Sequence, residues 1–123
     1  MPVIQVEALP QARGVDVAQA LGAVCTEVAV LLGEEPSGTW ATWRTLEGYL
    51  EGQDAPATQP ASTHPPVVRV IAFEGRPAEQ VAELHRCVAT VLARELGLEE
   101  ANVFVVFQEA RRGRLYTGGN VVS

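Results

Sequence analysis

The sequence predicts an α+β fold in which a βαβ unit occurs twice and forms a four-stranded sheet with two helices on one face. The first observation is an internal repeat: residues 2–46 align without a gap on residues 66–110, with 12 identities in 45 pairs. The second is that each copy contains a β-branched segment, a stretch with helical spacing and another short β-branched or aromatic segment. The chain is therefore a tandem duplication, and the two strands of each unit are expected to be parallel.

The first unit contains one predicted helix between two predicted strands. Residues 2–9, PVIQVEAL, are β-branched and partly alternating, which favours a strand. Apolar residues recur at helical spacing over residues 16–32, where Asp16 is placed to cap the start and Gly33 to end the helix. Residues 39–44, TWATWR, form the second predicted strand.

The second unit repeats this order. Residues 66–73, PVVRVIAF, predict a strand, residues 77–96 a helix that stops at Gly97, and residues 103–107, VFVVF, a further strand. The tail carries RRGRLYTGG, which is typical of a turn-rich closing hairpin.

We expect residues 1–123 to form a single domain of two units, about 2–52 and 66–123. Residues 53–65, QDAPATQPASTHP, are rich in Pro, Ala and Thr, and this composition predicts an extended linker between the units.

The predicted strands are apolar on both faces. Val3 and Val67 belong to one face, and Ile4 and Val68 to the other. Two helices cover only one face of a sheet, so we expect copies of the chain to associate and bury the other.

Composition limits the possible partners. Fifteen acidic residues against nine basic ones, all of them arginine, give a net charge of -6. This balance repels phosphate backbones and anionic lipid, so we expect neither nucleic acid nor a membrane as a partner. The N-terminus, MPVIQVEALPQ, lacks the pattern of a secretory signal, and we expect a cytoplasmic protein. The two cysteines and two histidines predict neither a disulfide framework nor a metal site, and we expect no cofactor.

Several residues together resemble the tautomerase superfamily. They are Pro2 opening directly into a strand, the run Glu74-Gly75-Arg76 with Glu79 and Gln80, and the closing turn Gly118-Gly119. The similarity is to the fused members, in which two units of the short 4-oxalocrotonate tautomerase type are joined in one chain. The resemblance implies a tautomerase/MIF-like homotrimer with the sheets facing inward and the helices outside.

The resemblance also implies catalysis by Pro2 once Met1 is removed. The exposed secondary amine would act as general base or acid on a small carboxylate-bearing 2-oxo acid or enol. An amine at the start of a buried strand, near guanidinium groups, has its charged form disfavoured, which lowers its pKa toward neutrality. Arg76 matches the arginine of the family motif, which binds a substrate carboxylate.

Two features of the sequence depart from the family. Where the short tautomerases carry an arginine in the second strand of the unit, this chain has Trp40 and Phe104. Arg44 shares a strand face with Trp40 and is a candidate for the missing role. We therefore take Arg44, Trp40, Phe104 and Tyr116, which lies in the closing turn, as candidate substrate-binding residues.

At most one working site per chain is expected. Position 12, which aligns with Arg76, is alanine, and the nitrogen of Pro66 is an amide. The leading hypothesis is a cofactor-independent tautomerase or isomerase. The alternatives are a catalytically silent trimer that acts as a binding or structural protein, and a decarboxylase or dehalogenase of the same superfamily.

Overall fold

The duplicated pattern folds into one mixed sheet with both helices on the same face. The computed structural model describes residues 2–60 and 62–123. Its main elements are β1 (Val3–Ala8), α1 (Val17–Leu32), β2 (Trp40–Thr45), β3 (Val67–Phe73), α2 (Ala78–Leu96), β4 (Phe104–Ala110), β5 (Tyr116–Thr117) and β6 (Asn120–Val121). Single-turn 3₁₀ helices, Pro36–Gly38 and Glu100–Asn102, precede β2 and β4.

The strand order β2-β1-β3-β4 confirms the predicted fold class. The strands of each unit, β1 with β2 and β3 with β4, are parallel. The units join through β1 and β3, which are antiparallel and place Val3 opposite Ile71. β4 extends to Ala110, three residues beyond the predicted strand, because Gln108 and Glu109 continue the pairing with β3 despite their polar side chains.

The core lies between the sheet and the helices. Ile4, Val6, Val68 and Val70 alternate along the two central strands and are at most 1% exposed. They pack against the buried side chains of both helices, among them Val24, Val28, Leu84, Val88 and Leu92. Burying each such side chain contributes about 1.5–3 kcal/mol, so both strands and both helices depend on this one layer.

The ends of α1 follow the sequence signals. The Asp16 carboxylate accepts a hydrogen bond from the backbone N–H of Gln19 at 3.0 Å, which confirms the predicted cap. Gly33 ends the helix with φ of 66°, a left-handed conformation that favours glycine. Gly97 ends α2 in the same way, with φ of 69°.

The opposite face of the sheet, which we call the open face, has no cover within the chain. Large apolar side chains remain exposed there, at Trp40, Val67, Phe104 and Val106. The helices therefore cover one face only, as the two-sided strands predicted.

The segment between the units is anchored to the body of the protein. The Gln59 backbone N–H donates to the Pro10 carbonyl at 2.9 Å. Its side-chain amide donates to Thr63 Oγ1 at 2.9 Å and to the Pro65 carbonyl. Gln59 is 7% exposed, and its hydrogen bonds fold a segment whose composition predicted an extended linker.

Among the described residues, no helix is both long enough and apolar enough to cross a membrane. Across the same residues, no three side chains of the His, Cys, Asp and Glu types are grouped so that they could hold a metal ion.

Candidate active site

The antiparallel pairing of β1 and β3 collects several predicted site residues at one edge of the sheet. β1 and β2 begin at this edge, and β3 and β4 end there, since Val3 pairs with Trp40 and with Ile71. We call it the Pro2 edge. The other edge, where β3 and β4 begin, is called the Phe104 edge.

Pro2 is buried at the start of β1, with less than 2% of its surface exposed. Its carbonyl accepts a hydrogen bond from the backbone N–H of Trp40 at 3.1 Å, which continues the parallel pairing to β2. Met1, whose removal the resemblance implies, lies outside the described residues.

Arg76 reaches the same edge from the second unit. β3 ends at Phe73, and Gly75 turns the chain with φ of 97°. The Arg76 side chain is 18% exposed and donates from Nη1 to Gln80 Oε1 at 3.1 Å and from Nη2 to Glu34 Oε1 at 3.4 Å. The guanidinium is thus held between the first turn of α2 and the loop after α1.

Glu34 is a site residue that sequence analysis missed. It follows the Gly33 cap, and its backbone N–H donates to the Ala29 carbonyl at 2.9 Å. Burial acts to raise the pKa of its carboxyl, but hydrogen bonds and positive charge, including the Arg76 guanidinium, outweigh burial and lower it. The repeat alignment contained a signal for Glu34, because this charged residue aligns with the apolar Leu98 of the second unit.

Two polar atoms at the Pro2 edge are buried without a hydrogen-bond partner among the described residues. They are Arg76 Nε and the hydroxyl oxygen of Thr39, which directly precedes Trp40. Buried polar atoms are nearly always paired, so two unpaired ones at one edge are typical of a site that receives another group.

Trp40 and the closing hairpin border this edge. Trp40 is 50% exposed at the start of β2. The hairpin of β5 and β6 follows β4, and the Glu74 carboxylate accepts a hydrogen bond from the backbone N–H of Arg112 at 3.2 Å. Tyr116 lies in this hairpin with 69% of its surface exposed.

Arg44 and Phe104 lie toward the opposite edge. Arg44 is four residues beyond Trp40 on β2, a separation of about 13 Å along a strand. Phe104 pairs with Val67, and its backbone N–H donates to the Pro66 carbonyl at 3.1 Å, which repeats the contact between Trp40 and Pro2. A single chain therefore does not bring Arg44 or Phe104 to Pro2.

The two cysteines do not have the properties of catalytic thiols. Cys25 and Cys87 are half-buried. Burial raises the pKa of both thiols; for Cys87 the Glu27 carboxylate adds to the rise and Arg94 opposes it. His85 packs edge-on against the Phe107 ring, with centroids 6.3 Å apart. Neither thiol is placed as an activated nucleophile.

An open cavity of about 500 Å³ lies elsewhere. It opens between α2 and the start of β4, where His85, Arg86 and Val103 line it. This places it at the Phe104 edge, without the buried proline and the guanidinium of the other edge.

The fold and this site define a duplicated βαβ protein with a buried proline, Pro2, and an arginine, Arg76, at the same edge of its sheet. Residues 66–123 match the profile of the family described as "Tautomerase enzyme". A comparison with curated protein sequences finds no match.

Solved structures of similar fold cover nearly the whole chain. F6 fused 4-OT, described as an asymmetric trimer, has a TM-score of 0.82 at 17% identity over 97% of this chain and 94% of its own. Pt0534 inactivated by 2-oxo-3-pentynoate has a TM-score of 0.79 at 17% identity, over 98% and 94%. N1, a member of the cis-3-chloroacrylic acid dehalogenase family, has a TM-score of 0.72 at 19% identity, over 98% and 83%.

The profile covers the second unit, and the first unit repeats its sequence and fold. The second unit therefore matches the tautomerase family, and the chain as a whole has the fold of the fused, two-unit 4-OT structures.

Proposed function

We propose that the protein is a cofactor-independent tautomerase or isomerase that uses the Pro2 amine, after removal of Met1, on a small carboxylate-bearing 2-oxo acid or enol. The observation that carries this proposal is the meeting of Pro2 and Arg76 at one sheet edge. The second copy of the unit offers no equivalent pair, because position 12 is alanine and the Pro66 nitrogen is an amide.

The environment of Pro2 suits a proton-transfer group. Its ring is buried, and the Arg76 guanidinium lies at the same edge. Both features disfavour the protonated amine and bring its pKa toward neutrality. The free amine then accepts the proton of an enol oxygen, and the protonated proline delivers a proton to the substrate carbon.

Arg76 binds the substrate carboxylate in this proposal. A guanidinium forms two parallel hydrogen bonds with a carboxylate, and the unpaired Nε supplies one of them. Trp40 and Tyr116 form walls of the site. Glu34 holds the guanidinium until the substrate carboxylate replaces it.

The proposal includes a homotrimer. The exposed apolar side chains of the open face need a cover, and the similar F6 fused 4-OT is described as a trimer. Arg44 and Phe104, which lie far from Pro2 in one chain, contribute to substrate binding only from a neighbouring copy.

Intact-mass spectrometry before and after incubation with 3-bromopyruvate tests the proline mechanism. We expect a mass without Met1 and one adduct, formed as the Pro2 nitrogen displaces bromide. The chain has no lysine, and peptide mapping separates Pro2 from the cysteines and histidines. Arg76→Gln should slow modification about tenfold to a hundredfold through loss of a charge-assisted anchor. Arg86→Gln, an exposed arginine on α2, is the matched control.

A retained Met1 or an unmodified Pro2 favours the second candidate, a catalytically silent trimer. Trp40 and Phe104 support that candidate, since neither places a positive charge where a keto oxygen would be polarised. Decarboxylase or dehalogenase chemistry is the third candidate, supported by the fold shared with N1 of the cis-3-chloroacrylic acid dehalogenase family. Assays with 3-chloroacrylate and with 2-oxo acids, on protein whose Pro2 reacts with 3-bromopyruvate, distinguish this third candidate from an isomerase.

A further inference from the structure

A polar pocket of about 230 Å³ lies on the open face, away from the Pro2 edge. Its lining includes Gln5, Glu7, Thr42, Arg44 and Arg69. The strand register brings these side chains together, because Gln5 pairs with Thr42 on one side and with Arg69 on the other. Glu7 pairs with Arg44 on the next row of the same face.

The charges of this pocket are not balanced. Among the described residues, neither Arg44 nor Arg69 makes an ion pair or a hydrogen bond through its guanidinium. Glu7 is the one carboxylate lining the pocket, which leaves a net charge of +1 from two arginines and one glutamate. This local charge is opposite in sign to the chain as a whole, which carries -6.

The position of the pocket in the sheet makes its unbalanced positive charge important. Gln5 and Arg69 belong to β1 and β3, the two central strands of the sheet. Apolar side chains around them, including Val67, Val106 and Phe104, mark the open face as a surface that becomes covered. A guanidinium removed from water without a counter-charge carries a desolvation penalty of several kcal/mol.

We propose that this pocket binds a small oxyanion between Arg44 and Arg69. The two guanidinium groups supply charge-assisted hydrogen bonds, and the Gln5 amide and the Thr42 hydroxyl supply neutral ones. The Glu7 carboxylate, which lines the same pocket, limits the affinity. The pocket is separate from the Pro2 edge of its own chain, and Arg69, unlike Arg44, has no role in the proposed Pro2 chemistry.

Phosphate and carboxylate anions share this chemistry, and two probes distinguish them. Thermal unfolding is followed at fixed protein concentration in inorganic phosphate, in malonate and in chloride at equal ionic strength. We expect phosphate or malonate at ten times its Kd to raise Tm by about 4–8 °C over chloride. The anion with the larger shift identifies the preferred class.

Three variants assign the effect to the pocket. Arg69→Gln should abolish the anion-dependent shift, Arg86→Gln should retain it, and Glu7→Gln should tighten binding several-fold by removing the repelling carboxylate. Isothermal titration with phosphate gives the same comparison without reference to unfolding. Equal Tm in all three salts for the unaltered protein overturns the proposal, and so does an undiminished shift in Arg69→Gln. Alkylation of Pro2 by 3-bromopyruvate should proceed in Arg69→Gln as in the unaltered protein. The anion site and the Pro2 mechanism are therefore tested independently.

Discussion

Nη2 of Arg76 lies 3.4 Å from Oε1 of Glu34, so the carboxylate anchor of the candidate site already holds a carboxylate from its own chain. The two residues come from different copies of the repeat. Their side chains are 18% and 32% exposed, so the pair is neither fully solvated nor fully buried. In the proposed mechanism, a substrate carboxylate therefore competes with Glu34 for one guanidinium.

Replacing Glu34 should strengthen substrate binding. In Glu34→Gln the amide no longer competes as an anion, and the concentration of 3-bromopyruvate that gives half-maximal inactivation should fall about two- to fivefold. Glu35→Gln removes an adjacent exposed carboxylate that has no bond to Arg76, and should leave this concentration unchanged. Weaker binding in Glu34→Gln would show that Glu34 positions Arg76 and does not compete for it.

A charge on the open face should separate the subunits. Val106 is 41% exposed there, and Val106→Glu would bury a carboxylate in any interface that covers the face. Light scattering should shift from about 39 kDa, three copies of the 13.1 kDa chain, toward a single copy. Val30→Glu, on the outer surface of α1 with 76% of Val30 exposed, should keep the larger mass. A large assembly that survives Val106→Glu would place the interface elsewhere.

Truncation of the shared core should weaken both units at once. Leu84 is 1% exposed and packs in the layer between the helices and the sheet. Leu84→Ala should lower the free energy of unfolding by about 2–5 kcal/mol through lost burial and an unfilled cavity. Leu50→Ala, at a side chain that is 65% exposed, should change it by no more than about 0.5 kcal/mol. Chemical denaturation measures both, and similar values would contradict the core assignment.

The carboxyl of Glu51 should make stability depend on acid pH. It accepts hydrogen bonds from the Tyr49 hydroxyl at 2.5 Å and the His64 backbone N–H at 3.1 Å, and its Oε1 lies 2.6 Å from His64 Nδ1. The hydrogen bond from Tyr49, followed by that of His64, lowers the pKa of Glu51 below 4.5. Burial and the bond to Glu51 raise the pKa of Tyr49 to about 12.

The sign follows from proton linkage. The folded carboxyl binds a proton less readily than the unfolded one, so its stabilisation is present above about pH 4.5 and is lost as the pH falls through the lower folded pKa. Glu51→Gln should be less stable than the unaltered protein at pH 7, and the difference should shrink toward pH 3. Glu109→Gln, at an exposed carboxylate outside this cluster, should follow the unaltered protein. Parallel pH profiles of Glu51→Gln and the unaltered protein would rule out this contribution.

Local patterns were sufficient to predict the elements. The spacing of Val17, Val24 and Leu32 predicts a helix, and Gly33 predicts its end, because these signals act within a few residues. The end of β4 was not predictable in this way, since Gln108 and Glu109 are strand residues through pairing with β3. The path of the linker could not be predicted from the sequence either, because it depends on the hydrogen bonds of Gln59 to distant backbone atoms.

The sequence by itself determined the repeat, the fold class, the two-sided sheet and the identity of Pro2 and Arg76 as candidate residues. The first three are properties of periodicity, and Pro2 and Arg76 became candidates through the family resemblance that short motifs carry. The tertiary structure decided which candidates meet. It brought Pro2, Arg76 and the unforeseen Glu34 to one edge, because β1 and β3 are antiparallel. It placed Arg44 of β2 and Arg69 of β3 in one pocket on the open face, because both strands pair with β1 in a register that no single segment encodes.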